Sequence, residues 1–391
     1  MKYLKFPGIF LFLLVIFFAG CEKNSDIPTN ADTQTNTMSL NKLNGHYYGN
    51  VSAVVTESNS ASGNEVVVYS RSNNGSLSFQ GSYSTGGTGN GGSLHSQGAV
   101  TISGRYIFAV NAGSNEVSVL KFQGNDVKLV DKKPSGGTLP VSLTVHDDYL
   151  YVLNAGGDGN ITGFKINDEK DGTITQIPNS TRPLSGSGTA PAQIEFSPNG
   201  RVLVVTEKAT NIIDTYIVNR QGIASGPNSQ PSTGQTPYGF EFDRRGRLIV
   251  SDAVGGTAGA GAMTSYGVGY DGINLISGPV ADNQTAPCWV VVTKDGRYTY
   301  TTNTGTANIS GYRIHHDGKI TLFDDGGNTA STGDGSTPID MALDHSSRFL
   351  YALGAGTHTI SVFKINNNDG SLISLQTVSG LPDHAAGLVA N

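Results

Sequence analysis

Residues 191–207 read PAQIEFSPNGRVLVVTE, and this stretch has the pattern of a β-hairpin. Apolar residues alternate with other residues before Asn199-Gly200, a pair that tolerates the positive φ of a tight hairpin turn. An apolar run at residues 202–205 follows the turn. The pattern predicts a first strand that begins at Pro191 and a second, antiparallel strand that ends at Glu207.

The same pattern recurs along most of the chain. Copies of the first strand begin at Gln97, Pro140, Pro191, Pro237, Pro287 and Pro338, and the copy at Gln97 is the weakest. The copies are 43 to 51 residues apart, a period typical of propellers and solenoids. Each copy continues into a second, a third and a more variable fourth strand, and no segment shows convincing helical periodicity. Four antiparallel strands per repeat are a propeller blade.

The two ends of the repeat region complement one another. Residues 47–82 supply a second, third and fourth strand without a good first strand, whereas residues 385–390 (AAGLVA) fit the first-strand pattern. We therefore predict an all-β, seven-bladed propeller over residues 45–391, with the C-terminal strand closing the ring in blade 1. Such a ring leaves no open sheet edge.

The composition excludes several classes of protein. The chain of 391 residues has 52 glycines, about twice the usual share of ~7 %. Charged residues make up only 14 % and the net charge is −6, which argues against a protein that holds nucleic acid through clustered lysine and arginine. The 37 % of hydrophobic residues can form a core. We expect a monomer that binds no nucleic acid.

The N-terminal segment has the features of an export signal. Lys2 and Lys5 precede an apolar run at residues 9–19, which is too short to span a membrane comfortably but suits a secretory signal. Small residues before Cys21 resemble the lipobox of bacterial lipoproteins, and an ordinary signal peptide with an incidental cysteine is the alternative. We predict a signal peptide at residues 1–20, lipidation of Cys21 and a flexible tether at residues 21–44. The protein would then be lipid-anchored in the cell envelope, at the outer membrane or the periplasmic face, and would contact the membrane only through this anchor.

The expected blade geometry predicts where ligands bind. First strands line the central channel, and the end of each antiparallel second strand lies beside the start of a first strand. We therefore expect one polar site at the channel mouth, built from starts of first strands and ends of second strands. The predicted ligand-binding residues are Asn111, Asn154, Gln193, Tyr238, Asp252, Trp289, Asn303 and Asp340.

Several segments resemble the seven-bladed lactonase-like propellers, the family of bacterial 6-phosphogluconolactonases and the fungal carboxymuconate cyclase. They are residues 196–201 (FSPNGR) with 204–207 (VVTE), residues 293–298 (TKDGRY) with Thr302-Asn303, and the second-strand ends Asn111 and Asn154. The resemblance covers roughly residues 45–391. It implies a metal-free lactonase in which Glu207 acts as general base or proton shuttle.

The chain departs from the family pattern at the cationic partners of that Glu. Where the catalysts of the family have His and Arg, this chain has Val141-Ser142 and Ala192-Gln193. A phosphorylated substrate would need such cations, so we expect an unphosphorylated sugar or aliphatic lactone. The alternative is a non-catalytic propeller that binds a carbohydrate, a peptide or a partner protein.

Other interpretations stay open at single residues. No cofactor is predicted. The alternative is a Ca²⁺ ion in the channel, for which hard oxygen ligands are offered by Glu207, Asp252, Asn154 and Asn303. We favour a polar channel that is filled with water. Trp289 could stack on a ligand or pack in the core. We expect an inert buried thiol at Cys288 and a solvated turn at His315-His316. His384 precedes the closing strand, and a position at the channel mouth is the less favoured alternative for it.

Overall fold

Seven antiparallel sheets surround a channel in the computed structural model, which describes residues 52–168 and 171–391. The innermost strands of all seven sheets line this channel. The predicted all-β, seven-bladed propeller is therefore confirmed. The predicted signal peptide, lipidation site and tether, and the domain boundary at residue 45, lie outside the described residues.

The first four blades follow the predicted repeat. Blade 1 contains β1 (Ala53–Glu57), β2 (Glu65–Arg71) and β3 (Leu77–Ser84), and blade 2 contains β4 (Val100–Ser103), β5 (Tyr106–Asn111), β6 (Glu116–Gln123) and β7 (Asp126–Pro134). Blade 3 contains β8 (Pro140–His146), β9 (Tyr149–Asn154), β10 (Asn160–Asn167), β11 (Thr173–Gln176) and the short β12 (Arg182–Pro183). Blade 4 contains β13 (Pro191–Phe196), β14 (Val202–Glu207), β15 (Ile212–Val218) and β16 (Ala224–Pro231).

The last three blades have the same order of strands from the channel outward. Blade 5 contains β17 (Pro237–Phe242), β18 (Arg247–Asp252), β19 (Ala262–Gly269) and β20 (Gly272–Ala281), with a 3₁₀ turn at Val254–Gly256. Blade 6 contains β21 (Pro287–Val292), β22 (Tyr298–Asn303), β23 (Asn308–Ile314), β24 (Ile320–Leu322) and the short β25 (Ala330–Ser331). Blade 7 contains β26 (Pro338–Leu343), β27 (Phe349–Gly354), β28 (Thr359–Ile365) and β29 (Leu372–Ser379). Within the described ranges, no helix has the length and apolar character needed to cross a membrane.

The final strand closes the ring as predicted. β30 (Ala386–Ala390) pairs with β1 and becomes the innermost strand of blade 1. Its pairing places Val54 opposite Ala390 and Val55 opposite Val389. Leu388 packs in a core cluster with side chains of blades 1 and 7. The two ends of the propeller region are thereby held in one sheet.

Neighbouring blades are joined by a repeated contact between an aromatic residue and a turn. The buried hydroxyl of Tyr151 in blade 3 donates to the carbonyl of Gly222 in blade 4 at 2.7 Å. Gly222 has a φ of 73°, and a Cβ there would lie 2.2 Å from the ring of Tyr149. Tyr300 makes the same bond to Gly370 in blade 7. The Gly of each of these turns is therefore required both by its conformation and by the close approach of the ring.

Candidate functional site

The channel holds a cavity of about 330 Å³ that is lined by residues of all seven innermost strands. Its polar lining side chains are Gln97, Thr101, Thr144, Gln193, Glu195 and Glu241, and most of the others are apolar. We call this space the channel cavity. Its volume lies at the lower end of the range typical of small-molecule sites, ~300–1,000 Å³.

Glu195 and Glu241 come from neighbouring innermost strands and face each other in the channel cavity. Burial raises the pKa of Glu195 well above its usual value, and the nearby charge of Glu241 raises it further. Burial also raises the pKa of Glu241, against the hydrogen bond that Glu195 donates to it. Gln193 donates to Glu195 Oε2 at 3.1 Å. The sequence analysis missed this pair of carboxyl groups, both of which have raised pKa values.

The predicted second-strand ends lie beside the starts of first strands, but their side chains turn away from the channel. In the strand register, Pro140 is opposite Asn154 and Pro191 is opposite Glu207. Asn154 Nδ2 nevertheless donates outward to Asn160 at 2.9 Å, at the start of the third strand. The others also bond within their own blades: Asn111 donates to Ser118, Asn303 donates to Asn308 and Ser310, and Asp252 accepts from the Thr264 hydroxyl.

This placement corrects the expected polar ring at the mouth. None of Asn111, Asn154, Glu207, Asp252 and Asn303 lines the channel cavity or the cavity at its mouth. The physical reason is that these buried side chains find their hydrogen-bond partners elsewhere, mostly in the third strand of their own blade. In blade 1 the equivalent residue is Glu57, which the sequence analysis did not consider, and burial raises its pKa well above the usual range. No group of three or more His, Cys, Asp or Glu suited to a metal occurs in the part of the chain that the structure describes.

Glu207 is fully buried at the end of β14. Its carboxylate accepts hydrogen bonds from the backbone N–H of Ser185 at 2.9 Å and from the hydroxyls of Ser185 and Thr210. Asp214 lies close by, and its pKa is raised to about 7 by burial and also by the Glu207 carboxylate, against a hydrogen bond from Ser229. The catalytic role of Glu207 stays a prediction.

The channel mouth is closed by a segment of the chain that leaves blade 1. We call residues 93–97 the mouth strap. They leave the path expected for a first strand, and β4 starts only at Val100, which explains the weak copy of the repeat at Gln97. A smaller space of about 80 Å³, the mouth cavity, lies beside the strap. His95, Trp289, Asp383 and His384 are among its lining residues.

Two aromatic rings pack against each other next to the mouth strap. The rings of Tyr238 and Trp289 lie 5.2 Å apart between their centroids, so two of the predicted binding residues are in contact. Trp289 is buried, and its Nε1 donates to the carbonyl of Ser96 in the mouth strap at 2.9 Å. His384 also lines the mouth cavity, a position that the sequence analysis did not favour.

Lys208 follows Glu207 directly and supplies a cation that bonds to the mouth strap, although its side chain lines neither cavity. Its Nζ donates to the carbonyl oxygens of His95 at 2.6 Å and Pro191 at 3.1 Å, and it lies 4.8 Å from the centroid of the Tyr238 ring. Burial lowers the pKa of Lys208 to about 8. No Asp or Glu of the described residues forms an ion pair with it. Sequence reasoning missed Lys208, although its position next to Glu207 was a usable signal.

The other predicted residues have structural partners. The side chain of Gln193 makes two hydrogen bonds to the backbone of Phe240 in β17. It accepts from Phe240 N at 2.8 Å and donates to Phe240 O at 2.9 Å. Asp340 is buried, and its Oδ1 accepts from Met341 N. Cys288 is a buried free thiol whose pKa is raised to about 12 by burial. His315 and His316 lie exposed on a turn, as expected.

The fold and this mouth define a propeller of the lactonase-like class. A family model described as "Lactonase, 7-bladed beta-propeller" matches residues 54–183, 158–253 and 273–387. The chain belongs to this family.

Two relatives that are named as 6-phosphogluconolactonases have low sequence identity to this chain. A 6-phosphogluconolactonase of Serratia proteamaculans is 29% identical over 121 residues, which are 30% of this chain and only 36% of that protein. A 6-phosphogluconolactonase of Yersinia pestis is 23% identical over 295 residues, which are 62% of this chain and 84% of that protein. The two matches relate this chain to 6-phosphogluconolactonases.

Solved structures share the fold at low identity. The periplasmic gluconolactonase of Pseudomonas aeruginosa superposes with a TM-score of 0.67 at 15% identity, covering 87% of this chain and 99% of that one. A protein from Lactobacillus plantarum also has a TM-score of 0.67 at 15% identity, covering 86% and 98%. At such identities the likeness shows the fold alone.

Proposed function

We propose that the protein hydrolyses an unphosphorylated lactone at the channel mouth. Membership in the lactonase family supports the reaction class. The observation that carries the proposal is Lys208, a cation without an acidic partner at the mouth, next to Glu207 in the chain. It offers a replacement for the cations that the sequence analysis found missing.

The proposed chemistry uses these two neighbours. In the reacting state the Glu207 carboxylate would have to leave Ser185 and Thr210 and turn to the mouth. A water oxygen then attacks the lactone carbonyl carbon, and Glu207 accepts the proton that the water loses. The Lys208 ammonium stabilises the oxyanion that forms on the carbonyl oxygen. The ring C–O bond then breaks, Glu207 returns its proton to the ring oxygen, and the product is a hydroxycarboxylate. Asp214 supports this assignment as a neighbouring carboxyl group with which Glu207 can share a proton.

The mouth favours a substrate without a phosphate group. Among the described residues, the side chains that line the mouth cavity include no arginine. Phosphate recognition commonly relies on bidentate arginine. One lysine is better suited to a single carbonyl or carboxylate oxygen. An unphosphorylated sugar or aliphatic lactone is therefore the substrate class that we propose.

A second candidate function is ligand binding without catalysis. It is favoured by the state of Glu207, whose carboxylate is completely buried and accepts bonds from Ser185 and Thr210. A general base needs access to its water molecule. A propeller that binds a carbohydrate or hydroxycarboxylate at Lys208, Tyr238 and Trp289 would need no such access.

A lactone panel tested with matched variants separates these functions. We expect Glu207→Gln to lower the rate of hydrolysis ~10²–10⁴-fold and Lys208→Met to lower it ~10²–10³-fold, with folding intact. Glu65→Gln and Lys165→Met, on exposed or ion-paired side chains, are the controls. A chelator should have no effect, whereas loss of activity would support the Ca²⁺ alternative. Absence of turnover above buffer, or full activity of Glu207→Gln, would overturn the catalytic proposal.

We also propose that Cys21 is lipidated and holds the protein in the cell envelope. The proposal is supported by the basic start, the apolar run and the small residues before Cys21 in the sequence. Wild type should incorporate labelled fatty acid and sediment with membranes, and Cys21→Ser should do neither. An unlabelled, soluble wild-type protein would contradict the proposal.

A further inference from the structure

The mouth strap connects blade 1 to blade 2, but its hydrogen bonds go to three other blades. Residues 93–97 link blade 1 to blade 2, yet Ser96 Oγ donates to Val141 O of blade 3 at 2.7 Å. Gln97 N donates to Ala192 O of blade 4 at 3.0 Å. Gln97 also pairs with Val290 of blade 6, donating from Nε2 at 2.8 Å and accepting at Oε1 at 3.1 Å. The strap therefore crosses the mouth and is held there by these hydrogen bonds and by Leu94, which is buried in a hydrophobic core cluster.

Two strong donors of the mouth are occupied by carbonyl oxygens of this strap. Lys208 Nζ donates to His95 O, and Trp289 Nε1 donates to Ser96 O. A half-buried ammonium next to an aromatic ring is costly to leave without an anion. Main-chain carbonyl oxygens carry only a partial negative charge. They therefore accept hydrogen bonds from the Lys208 ammonium group but do not neutralise its positive charge.

We propose that the mouth strap occupies a carboxylate-binding site and that a small hydroxycarboxylate, or the lactone it derives from, displaces the strap to reach Lys208 and Trp289. This inference rests on the proposed function for the identity of the ligand. The ligand's carboxylate or carbonyl oxygens take the places of His95 O and Ser96 O. The structure is the closed state, and ligand binding opens the channel mouth.

The chain on either side of the strap is suited to such a movement. Gly91 and Gly92 precede the strap, and Gly98, with a φ of 78°, follows it. Glycine adopts conformations that other residues avoid, so it allows a segment to rotate at its ends. The strap can therefore leave the mouth without unfolding β4.

Trp289 reports on the strap without any enzymatic assay, because it is the only tryptophan of the chain. Its ring is buried under the strap, so acrylamide should quench the fluorescence of the closed state poorly. We would titrate the full-length protein with gluconate as the hydroxycarboxylate and with sorbitol as its uncharged counterpart. Gluconate should change the emission and increase the quenching, and sorbitol should do neither.

Two pairs of variants separate strap release from general destabilisation. Gln97→Ala removes the two hydrogen bonds between the strap and the backbone of Val290, and Gln376→Ala removes the same kind of double hydrogen bond to the backbone of Leu77, between the outermost strands of blades 7 and 1. Lys208→Met removes the cation over Tyr238, and Lys165→Met removes a lysine held 4.6 Å from the Tyr149 ring by an ion pair with Asp148.

The proposal predicts a distinct result for each variant. Gln97→Ala should increase acrylamide quenching and tighten gluconate binding ~10-fold, because the ligand no longer competes with a fully bonded strap. Gln376→Ala and Lys165→Met should behave like wild type, and Lys208→Met should lose the gluconate response. If Gln97→Ala matches Gln376→Ala in both measurements, or Lys208→Met still binds gluconate, the proposal is wrong. A normal fluorescence response without lactone turnover would instead overturn only the proposed hydrolysis.

Discussion

Glu195 and Glu241 put two carboxyl groups in one low-dielectric space inside the channel cavity. Because burial disfavours the ionised form, the pKa of each is higher in the folded chain than the ordinary value near 4.3. A group with a raised folded pKa binds more protons when folded. Its favourable contribution to the free energy of unfolding is therefore fully present below the unfolded pKa and is lost as pH rises through the folded pKa.

Glu195→Gln should raise the melting temperature at pH 8, because the free-energy cost of burying a carboxyl group beside Glu241 grows as pH rises above its ordinary pKa, and Gln keeps the shape of the side chain without titrating. The gain should be a few degrees, corresponding to ~1–2 kcal/mol, and should disappear towards pH 4. Thermal melts of wild type and variant at both pH values measure this difference. Glu65→Gln, on an exposed side chain, is the control and should change neither melt. An equal gain at both pH values would show that the effect is not electrostatic.

Side-chain direction was the part of the candidate site that sequence could not predict. Alternation and turn spacing correctly placed Glu207 beside Pro191 and Asn154 beside Pro140. They did not show that these side chains bond towards the third strand. The direction of each side chain depends on which polar groups nearby in the folded blade need a hydrogen-bond partner. Lys208, the next residue after Glu207, is the one that reaches the mouth.

At the level of strands, the repeat predicted most of the fold because its signals are local. The hairpin at residues 191–207 became β13 and β14, with a tight turn at Asn199-Gly200 between them. Each such hairpin buries one apolar face against the next blade, and its register is set by the turn and the alternation. The fold could therefore be predicted from one strong copy and its repeats.

The mouth strap shows where such local signals fail. Residues 97–102 (QGAVTI) resemble a first strand, yet only the part from Val100 onward is one. Gln97 instead bonds to Val290, which is 193 residues away in the chain. No periodicity within a blade carries information about a contact across the channel. The strap, and with it the closed mouth, could be found only from the assembled ring.

At the scale of the whole molecule, the C-terminal strand determines whether the ring is closed. β30 pairs with β1, and Thr56 Oγ1 donates to Ala386 O at 3.1 Å. Arg71 also donates to the carbonyl of Asn391 at 2.9 Å. Leu388 is 6% exposed, so its side chain is part of the core between blades 7 and 1. Loss of this strand would expose the inner edge of blade 1 to water.

Deletion of residues 385–391 should therefore destabilise the protein far more than a single core substitution does. Leu388→Ala should cost ~2–5 kcal/mol through lost burial and a cavity, and the deletion should exceed this because backbone hydrogen bonds are lost as well. Leu375→Ala is the matched control, since Leu375 is 42% exposed on the outermost strand of blade 7 and should change stability by less than ~0.5 kcal/mol. Thermal and urea unfolding measure all three. A deletion variant that melts cooperatively within a few degrees of wild type would show that β30 does not hold the ring together.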